Sequence, residues 1–376
     1  MVNDVADRTQ RVAAATRAAG ADWAVLTSPD AVCYATGHIV PIEAGPSPFA
    51  GGPTIALVSR TGTVGLIGAD VRSDAGLDVV ESYPGFTWAE PNDLQTGFLA
   101  AAGRAAAALG VGGVLAIEPP SFIAWLENIL GGSRQVPITH ALERARCIKT
   151  PGEIDLLQRA AQTAAIGQRT ALAESRPDLS ELDVFGRIRS AMERFAGERV
   201  PVTGDYLSGI ERTAQCGGWP IERIIQAGEP IICDLAPRVA GYWGDSCGSF
   251  VTAAPGKAYQ QLYRASEEAF QTALSIIRSG LRVDELDRTL RAVVARHGYA
   301  YPHHSGHSIG TSVHEFPRIV PHETATLESG MVMMVEPSAY HPDVGGVRLE
   351  WMVLVEANGC RPLAPFEHRM TADCVE

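Results

Sequence analysis

The sequence predicts an α/β N-terminal domain over residues 1–145 followed by an α+β domain over residues 146–376. Three observations carry this. The chain has 376 residues, enough for two domains at roughly 100–200 residues each. Its first third alternates short apolar runs with stretches of helical periodicity. Its remainder twice repeats one order of elements (a long helix, a shorter helix, then strands), which predicts two halves related by a pseudo-twofold repeat.

Taken in order, Arg8–Ala18 has helical spacing and leads into the apolar run Trp23-Ala-Val-Leu-Thr27, a short buried strand closed by a turn at Ser28-Pro29-Asp30. Strands follow at Thr54–Val58 and Val64–Ile67, separated by the turn Arg60-Thr-Gly62. Leu94–Leu109 reads as an alanine-rich helix, Val114–Ile117 as a strand and Ser121–Leu130 as a further helix. No glycine-rich phosphate loop occurs among them. A boundary falls at Arg146. Just beyond it, Thr150-Pro151-Gly152-Glu153 has the form of a helix start: Thr as N-cap, Pro in the first turn, Glu three residues after the cap. Ile154, Leu157, Ala161 and Ala164 continue it with helical spacing. Leu179-Ser-Glu-Leu-Asp183 and Val283-Asp-Glu-Leu-Asp287 then each open a shorter helix after a longer one, Glu153–Leu172 and Lys257–Arg278 respectively. Two similar capping boxes would give the same local pattern; the repeated order of elements is what favours duplicated halves, with a site between them.

The composition excludes several classes. A formal charge of −12 argues against nucleic acid, whose phosphates need a basic footprint. No apolar run reaches the roughly 18 residues of a membrane span, and the acidic start Met1-Val-Asn-Asp lacks the features of a secretory leader. Seven scattered cysteines without a Cys-x-x-Cys pair are expected to be free thiols, which points to the cytoplasm.

The chemistry concentrates around Tyr301–Pro317, which holds four of the ten histidines, with glycines on either side of His307. Glycine lets backbone approach a ligand closely, and the carboxylates elsewhere in this half strengthen the reading. Asp234 ends the apolar run Pro230-Ile-Ile-Cys, and Asp245 follows Gly241-Tyr-Trp-Gly. In a hairpin centred on Val239-Ala240 the two aspartates face each other, with Cβ atoms roughly 4.5–5.5 Å apart. Glu336 ends Met331-Val-Met-Met-Val before Pro337, and Glu350 lies mid-strand in Val347–Val355 on the same face as Arg348. A salt bridge from Arg348 to Glu350 is an alternative explanation of that acid. Like charges about 4 Å apart repel by about 4 kcal/mol at an effective dielectric of ~20. Four clustered carboxylates therefore need protons or cations. Two divalent ions supply the charge and His307 a nitrogen donor. Such a donor set favours manganese, with cobalt, iron or zinc as alternatives. A metal pair of this kind can activate a hydroxide to attack an amide carbonyl, which is hydrolytic chemistry.

The order Asp234, Asp245, Gly306-His-Ser-Ile-Gly310, Met331-Val-Met-Met-Val-Glu-Pro337 and Gly346-Val-Arg-Leu-Glu350 resembles the pita-bread metallopeptidase and creatinase superfamily. Ser28-Pro-Asp-Ala-Val-Cys-Tyr-Ala-Thr-Gly37 resembles the N-terminal domain of its proline-specific and creatinase branches, and Arg146-Cys-Ile-Lys-Thr-Pro-Gly-Glu153 their domain junction. The resemblance implies a pita-bread catalytic domain and five metal ligands: Asp234, Asp245, His307, Glu336 and Glu350. Asp245 and Glu350 would bridge two ions, Asp234 would complete one, and His307 with Glu336 the other. It further implies that His303 and His314 face substrate, that Arg348 is the arginine two before the last ligand, and that Ser208 belongs to a substrate-side loop. It also implies a homodimer.

The chain departs from the peptidase pattern at Gly217, where proline-specific members carry histidine. It departs again at Asp245-Ser-Cys-Gly248, where Asp-x-Thr-Arg is usual, and at Trp351, where Asp or Asn is common. Trp219 can fill part of the space that Gly217 and Gly218 leave. The leading expectation is a binuclear metal-dependent hydrolase of a dipeptide or other small substrate, nearest to Xaa-Pro dipeptidases and aminopeptidases. A C–N hydrolase or lyase acting on a small amide, amidine or zwitterion is the alternative, and a non-catalytic binding protein the third reading.

Overall fold

The computed structural model describes residues 2–42, 52–72, 76–88, 93–130 and 133–374. The chain forms two compact units, Met1–Arg146 with Thr150–Gly152, and Cys147–Lys149 with Glu153–Glu376.

The first unit runs α1 (Val2–Ala18), β1 (Trp23–Leu26), α2 (Pro29–Thr36), β2 (Ile55–Ser59), β3 (Val64–Ala69), β4 (Val79–Tyr83), α3 (Leu94–Leu109), β5 (Val114–Ile117), α4 (Glu127–Leu130), β6 (Arg134–Pro137) and α5 (Thr139–Cys147). Its six strands form one mixed sheet in the order β4-β3-β2-β1-β5-β6. Alternation along β1 explains the two cores. Ala24 and Leu26 pack with Val12, Val32 and Tyr34 on one face, and Trp23 and Val25 with Phe98, Ala101 and Ala105 on the other. The expected turn at Ser28-Pro29-Asp30 is instead the start of α2. The Ser28 hydroxyl accepts the Ala31 N–H and Pro29 occupies the first turn, as both residue types favour. The expected helix Ser121–Leu130 is a 3₁₀ turn (Ala124–Leu126) followed by the four residues of α4. Phe122, Ile123, Trp125 and Leu126 all enter one core.

The second unit contains α6 (Pro151–Glu174), α7 (Glu181–Ala196), β7 (Val202–Thr203), β8 (Tyr206–Ser208), α8 (Ile210–Ala214), β9 (Pro230–Asp234), β10 (Ala236–Val239), β11 (Tyr242–Trp243), β12 (Cys247–Val251), α9 (Lys257–Ile276), α10 (Val283–Arg296), β13 (Gly306–Ser308), β14 (Glu315–Arg318), β15 (Val332–Val335), β16 (Ser338–His341), β17 (Gly345–Arg348), β18 (Trp351–Val355) and β19 (Cys360–Pro362). The pseudo-twofold repeat of the pita-bread fold is visible in it. Helices α6 and α7 precede the sheet β12-β9-β8, and α9 and α10 precede the sheet β14-β13-β15-β18-β19. The two short helices start differently. Ser180 and Asp183 form a reciprocal capping box on α7, whereas Arg282 precedes α10 without a side-chain cap.

The hairpin that delivers the aspartates turns one residue later than expected. Val239 pairs with Tyr242, and Ala240 and Gly241 take positive φ of 49° and 85°, the two-residue turn whose twist suits a hairpin. Asp234 is consequently opposite Cys247 rather than Asp245. Glu350 is not mid-strand either. It occupies an isolated bridge to Cys247 between β17 and β18, where the chain passes from the two-stranded sheet to the five-stranded one.

Candidate metal centre

Each acid is placed by a strand end, where an apolar run has fixed the backbone and pairing then stops. Asp234 is the last residue of β9, after four buried residues. Asp245 sits between β11 and β12, just after Gly244. A Cβ on Gly244 would lie 2.3 Å from the Ala160 carbonyl oxygen, so only glycine lets this strand approach α6 so closely. Glu336 stands between β15 and β16, and Glu350 between β17 and β18. The carboxylates of Asp245, Glu336 and Glu350 are buried.

His307 arrives from β13 by the same logic. Gly306, at φ 151°, has the Met334 carbonyl oxygen 2.1 Å from where a Cβ would be, so no other residue fits. The His307 Nδ1 is 2.9 Å from the Ser308 carbonyl. With that nitrogen donating, Nε2 turns its lone pair towards Asp245 Oδ2 at 3.7 Å and Glu336 Oε1 at 3.6 Å. Burial holds the imidazole neutral by lowering its pKa to about 3.

Donor atoms of Asp245, His307 and Glu350 lie within 4.8 Å of one another, and so do those of Asp234, Cys247 and Glu350. Glu350 is common to both groups. Burial lifts the Asp234 carboxyl to about 7 despite the Arg348 guanidinium. It lifts Asp245 and Glu350 well above the carboxylate range, with neighbouring acids adding to the effect. The Glu350 Oε2 is buried without a hydrogen-bond partner. The His307 lone pair faces acids, and the orphaned Glu350 oxygen beside them has no donor to satisfy it. Divalent cations fit this set, because they satisfy lone pairs and charge together.

The surrounding residues differ in what they do. Arg348 does not pair with Glu350. Its Nη2 is 2.7 Å from both Asp234 Oδ2 and Asp205 Oδ2, its Nη1 donates to the Cys216 carbonyl, and its Nε lies 3.4 Å from Cys247 Sγ. It therefore orients Asp234. His303 is satisfied on both nitrogens, by the His304 carbonyl at 2.7 Å and the Tyr340 hydroxyl at 3.1 Å. The His314 ring is 4.3 Å from that of His307. These residues line a cavity of 260 Å³ with Asp205, Cys216 and His304.

Ser208 does not line this cavity. It is fully buried, and its N–H and hydroxyl both donate to Glu181 Oε1, at 2.7 and 2.8 Å, while Arg223 donates to its oxygen. Its expected contact with substrate is replaced by a structural network that also holds Arg212 and the Ile221 N–H on Glu181. Trp219 is 80% exposed and likewise outside the lining, on the loop that carries Cys216 and Gly217. Gly217 opens space as expected: a Cβ there would meet nothing nearer than Asp205 Oδ2 at 3.8 Å. Gly248 has a packing cause, since a Cβ would come within 2.9 Å of Gln168 Oε1, and that amide donates to the carbonyls of Cys233 and Ser246.

Sequence reasoning missed Asp205, Cys247 and His304. His304 Nε2 is 2.9 Å from Glu336 Oε1, and its place in the histidine-rich stretch was a usable signal. For Cys247 the signal was a thiol two residues after Asp245. Asp205 carried none, because only the pairing of Asp234 N–H with its carbonyl brings it to the site.

Residues 155–357 match metallopeptidase family M24. The chain belongs to this family. It is therefore related to hydrolases that use divalent metal. A putative dipeptidase, YkvY, of Bacillus subtilis is 30% identical over 243 residues, covering 64% of this chain and 67% of the relative. An Xaa-Pro dipeptidase of Pyrococcus furiosus is 28% identical, over 62% of this chain and 67% of its own. Among solved structures, an Xaa-Pro dipeptidase from Bacillus anthracis superposes with a TM-score of 0.82 at 23% identity, covering 99% of this chain and all of that one. The Pyrococcus furiosus prolidase gives 0.78 at 24%, covering 94% and 99%. These two likenesses establish the two-domain M24 fold. Among the described residues, no helix of this M24 chain is long and apolar enough to cross a membrane.

Proposed function

We propose that the chain is a binuclear metallopeptidase acting on a small peptide-like substrate in the manner of an Xaa-Pro dipeptidase or aminopeptidase. The observation that carries this reading is the His307 Nε2 lone pair aimed at Asp245 and Glu336 beside an unpartnered Glu350 oxygen. Asp234, Asp245, His307, Glu336 and Glu350 would hold two divalent ions, with manganese, cobalt, iron and zinc all compatible with an oxygen-rich set. When bound, such ions supply Lewis-acid polarisation of a carbonyl and activation of water.

The chain's own residues supply the rest. Arg348 fixes Asp234 while Asp205 fixes Arg348. His314, which lines the cavity beside His307, would meet the reacting amide. His303, held neutral at about 4 by burial, shapes the wall beside Glu336. Trp219 is placed to touch only a substrate that extends towards its loop. Residues 1–145 would be a creatinase/prolidase-like N-terminal domain, and residues 146–376 the catalytic one. The seven free cysteines support a reducing cytoplasm, and the resemblance of the N-terminal domain supports a homodimer.

A second reading, C–N hydrolysis or a lyase step on a small amide, amidine or zwitterion, is favoured by one observation. Next to the centre, the space at Gly217 faces the Asp205 carboxylate instead of a histidine. A buried hydrogen bond left unmade costs roughly 1–3 kcal/mol, and each 1.4 kcal/mol is a factor of about ten in rate. Xaa-Pro dipeptides should therefore turn over roughly ten- to a hundredfold more slowly than in a histidine-bearing enzyme. The test is a dipeptide library incubated with and without added manganese and read by mass spectrometry, with Gly217→His alongside. Metal-dependent cleavage of Xaa-Pro peptides that Gly217→His enhances supports the peptidase. No cleavage of any dipeptide by metal-loaded protein overturns it in favour of the second reading.

A further inference from the structure

Cys247 opens β12, and its thiol is fully buried. Its Sγ lies within 4.8 Å of a carboxylate oxygen from each of Asp234 and Glu350, which are within the same distance of each other. Ligands sit about 2.0–2.3 Å from a zinc ion, so tetrahedral donors stand roughly 3.3–3.8 Å apart, a spacing inside the 4.8 Å that bounds this group. The thiol is held there by strand geometry. Residue 247 pairs with Asp234 across the sheet, and its carbonyl accepts the Glu350 N–H at 3.0 Å and lies 3.1 Å from His368 Nε2. Glu350, 2% exposed, carries the oxygen that has no hydrogen-bond partner. The Arg348 Nε lies 3.4 Å from the sulfur.

We propose that Cys247 is a sixth protein ligand, bonding through its thiolate to the ion that Asp234 and Glu350 share. The proposal rests on the binuclear reading above and deepens it. A sulfur–metal bond forms, the thiol proton leaves to solvent, and no electron changes hands. Thiolate is a soft donor, so the position selects zinc or cobalt ahead of manganese. The threonine that the family resemblance places here has only a hard hydroxyl. Cys216, whose residue lines the cavity where Cys247 does not, belongs to no such ligand group among the described residues and serves as the control thiol.

The test is the absorption spectrum of metal-free full-length protein titrated with cobalt(II). Wild type and Cys216→Ser should both develop a near-ultraviolet thiolate-to-cobalt charge-transfer band, and Cys247→Ser should bind cobalt without it. In Cys247→Ser the zinc affinity, measured against a chromophoric chelator, should fall by about tenfold or more, with manganese affinity within about twofold of wild type. Should the serine variant fail to fold, Cys247→Ala and the wild-type spectrum decide. Cobalt bound without the band in wild type overturns the proposal, as does a band that survives loss of Cys247 or disappears in Cys216→Ser. Protein that binds no cobalt at all sinks the binuclear reading beneath it, and the two failures are thereby distinguishable.

Discussion

At the scale of single residues, the site depends on buried carboxylates gathered with too little positive charge to balance them. Asp245 is the strongest case: one oxygen accepts the Ser246 N–H, while the carboxylate stays buried among Asp234, Glu336 and the lone pair of His307. Asp245→Asn keeps the shape and removes the charge. It should lose at least one ion and lower turnover by about a hundredfold or more, with the far-ultraviolet circular dichroism unchanged. Equilibrium dialysis and steady-state rates check this, and a variant with two ions and wild-type turnover would make Asp245 merely structural. The four acids of the candidate site were legible because a carboxylate at the end of an apolar run is costly and therefore conspicuous. The partners of Arg348 were not, since Asp205 and Asp234 reach it from separate strands. Ser208 misled for a related reason: a Ser-Gly pair is visible in sequence, but the buried Glu181 that claims its hydroxyl is not.

At the scale of elements, strand and helix existence was easier to read than register. Leu94–Leu109 and Val114–Ile117 occur with the expected bounds, because an alanine-rich run and a short apolar run each have one stable solution. Strand β4 and β6 at the two edges of the first sheet went unrecognised; β4 alternates burial rather than forming an apolar block. The hairpin centre was placed one residue early because Ala240 holds a positive φ of 49° that alanine seldom adopts. Left-handed backbone costs a non-glycine residue roughly 1–2 kcal/mol, and Asn-Gly is the preferred pair for this turn. Ala240→Asn should therefore raise stability by about 0.5–1 kcal/mol without affecting metal binding. Thermal unfolding tests this, and a lower midpoint would mean that the side chain at 240, not its backbone, matters to the turn.

At the scale of the whole molecule, the pseudo-twofold repeat was legible from helix order, but the convergence of its strand ends on one cavity was not. Pairing between segments distant in the chain leaves no local pattern. The charge gathered there couples stability to metal. In the metal-free protein burial raises Asp234 to about 7, and lifts Asp245 and Glu350 well above the ordinary carboxylate range. The folded state then binds more protons than the unfolded one, so the stability these groups contribute is present at low pH and is lost as pH rises through 7. The lowered histidines act in the opposite sense, but only below the ordinary histidine pKa of about 6.5. The melting temperature of stripped protein should therefore lose ground to that of protein with a divalent ion added as pH rises towards and through 7. Equal slopes with and without metal would contradict this. The most direct measurement of the central claim is metal content by elemental analysis, taken on the same samples as dipeptide turnover, before and after chelation. The account predicts two divalent ions per chain, turnover abolished when they are stripped and restored when they are returned. Metal-free protein that turns over at the untreated rate would contradict it.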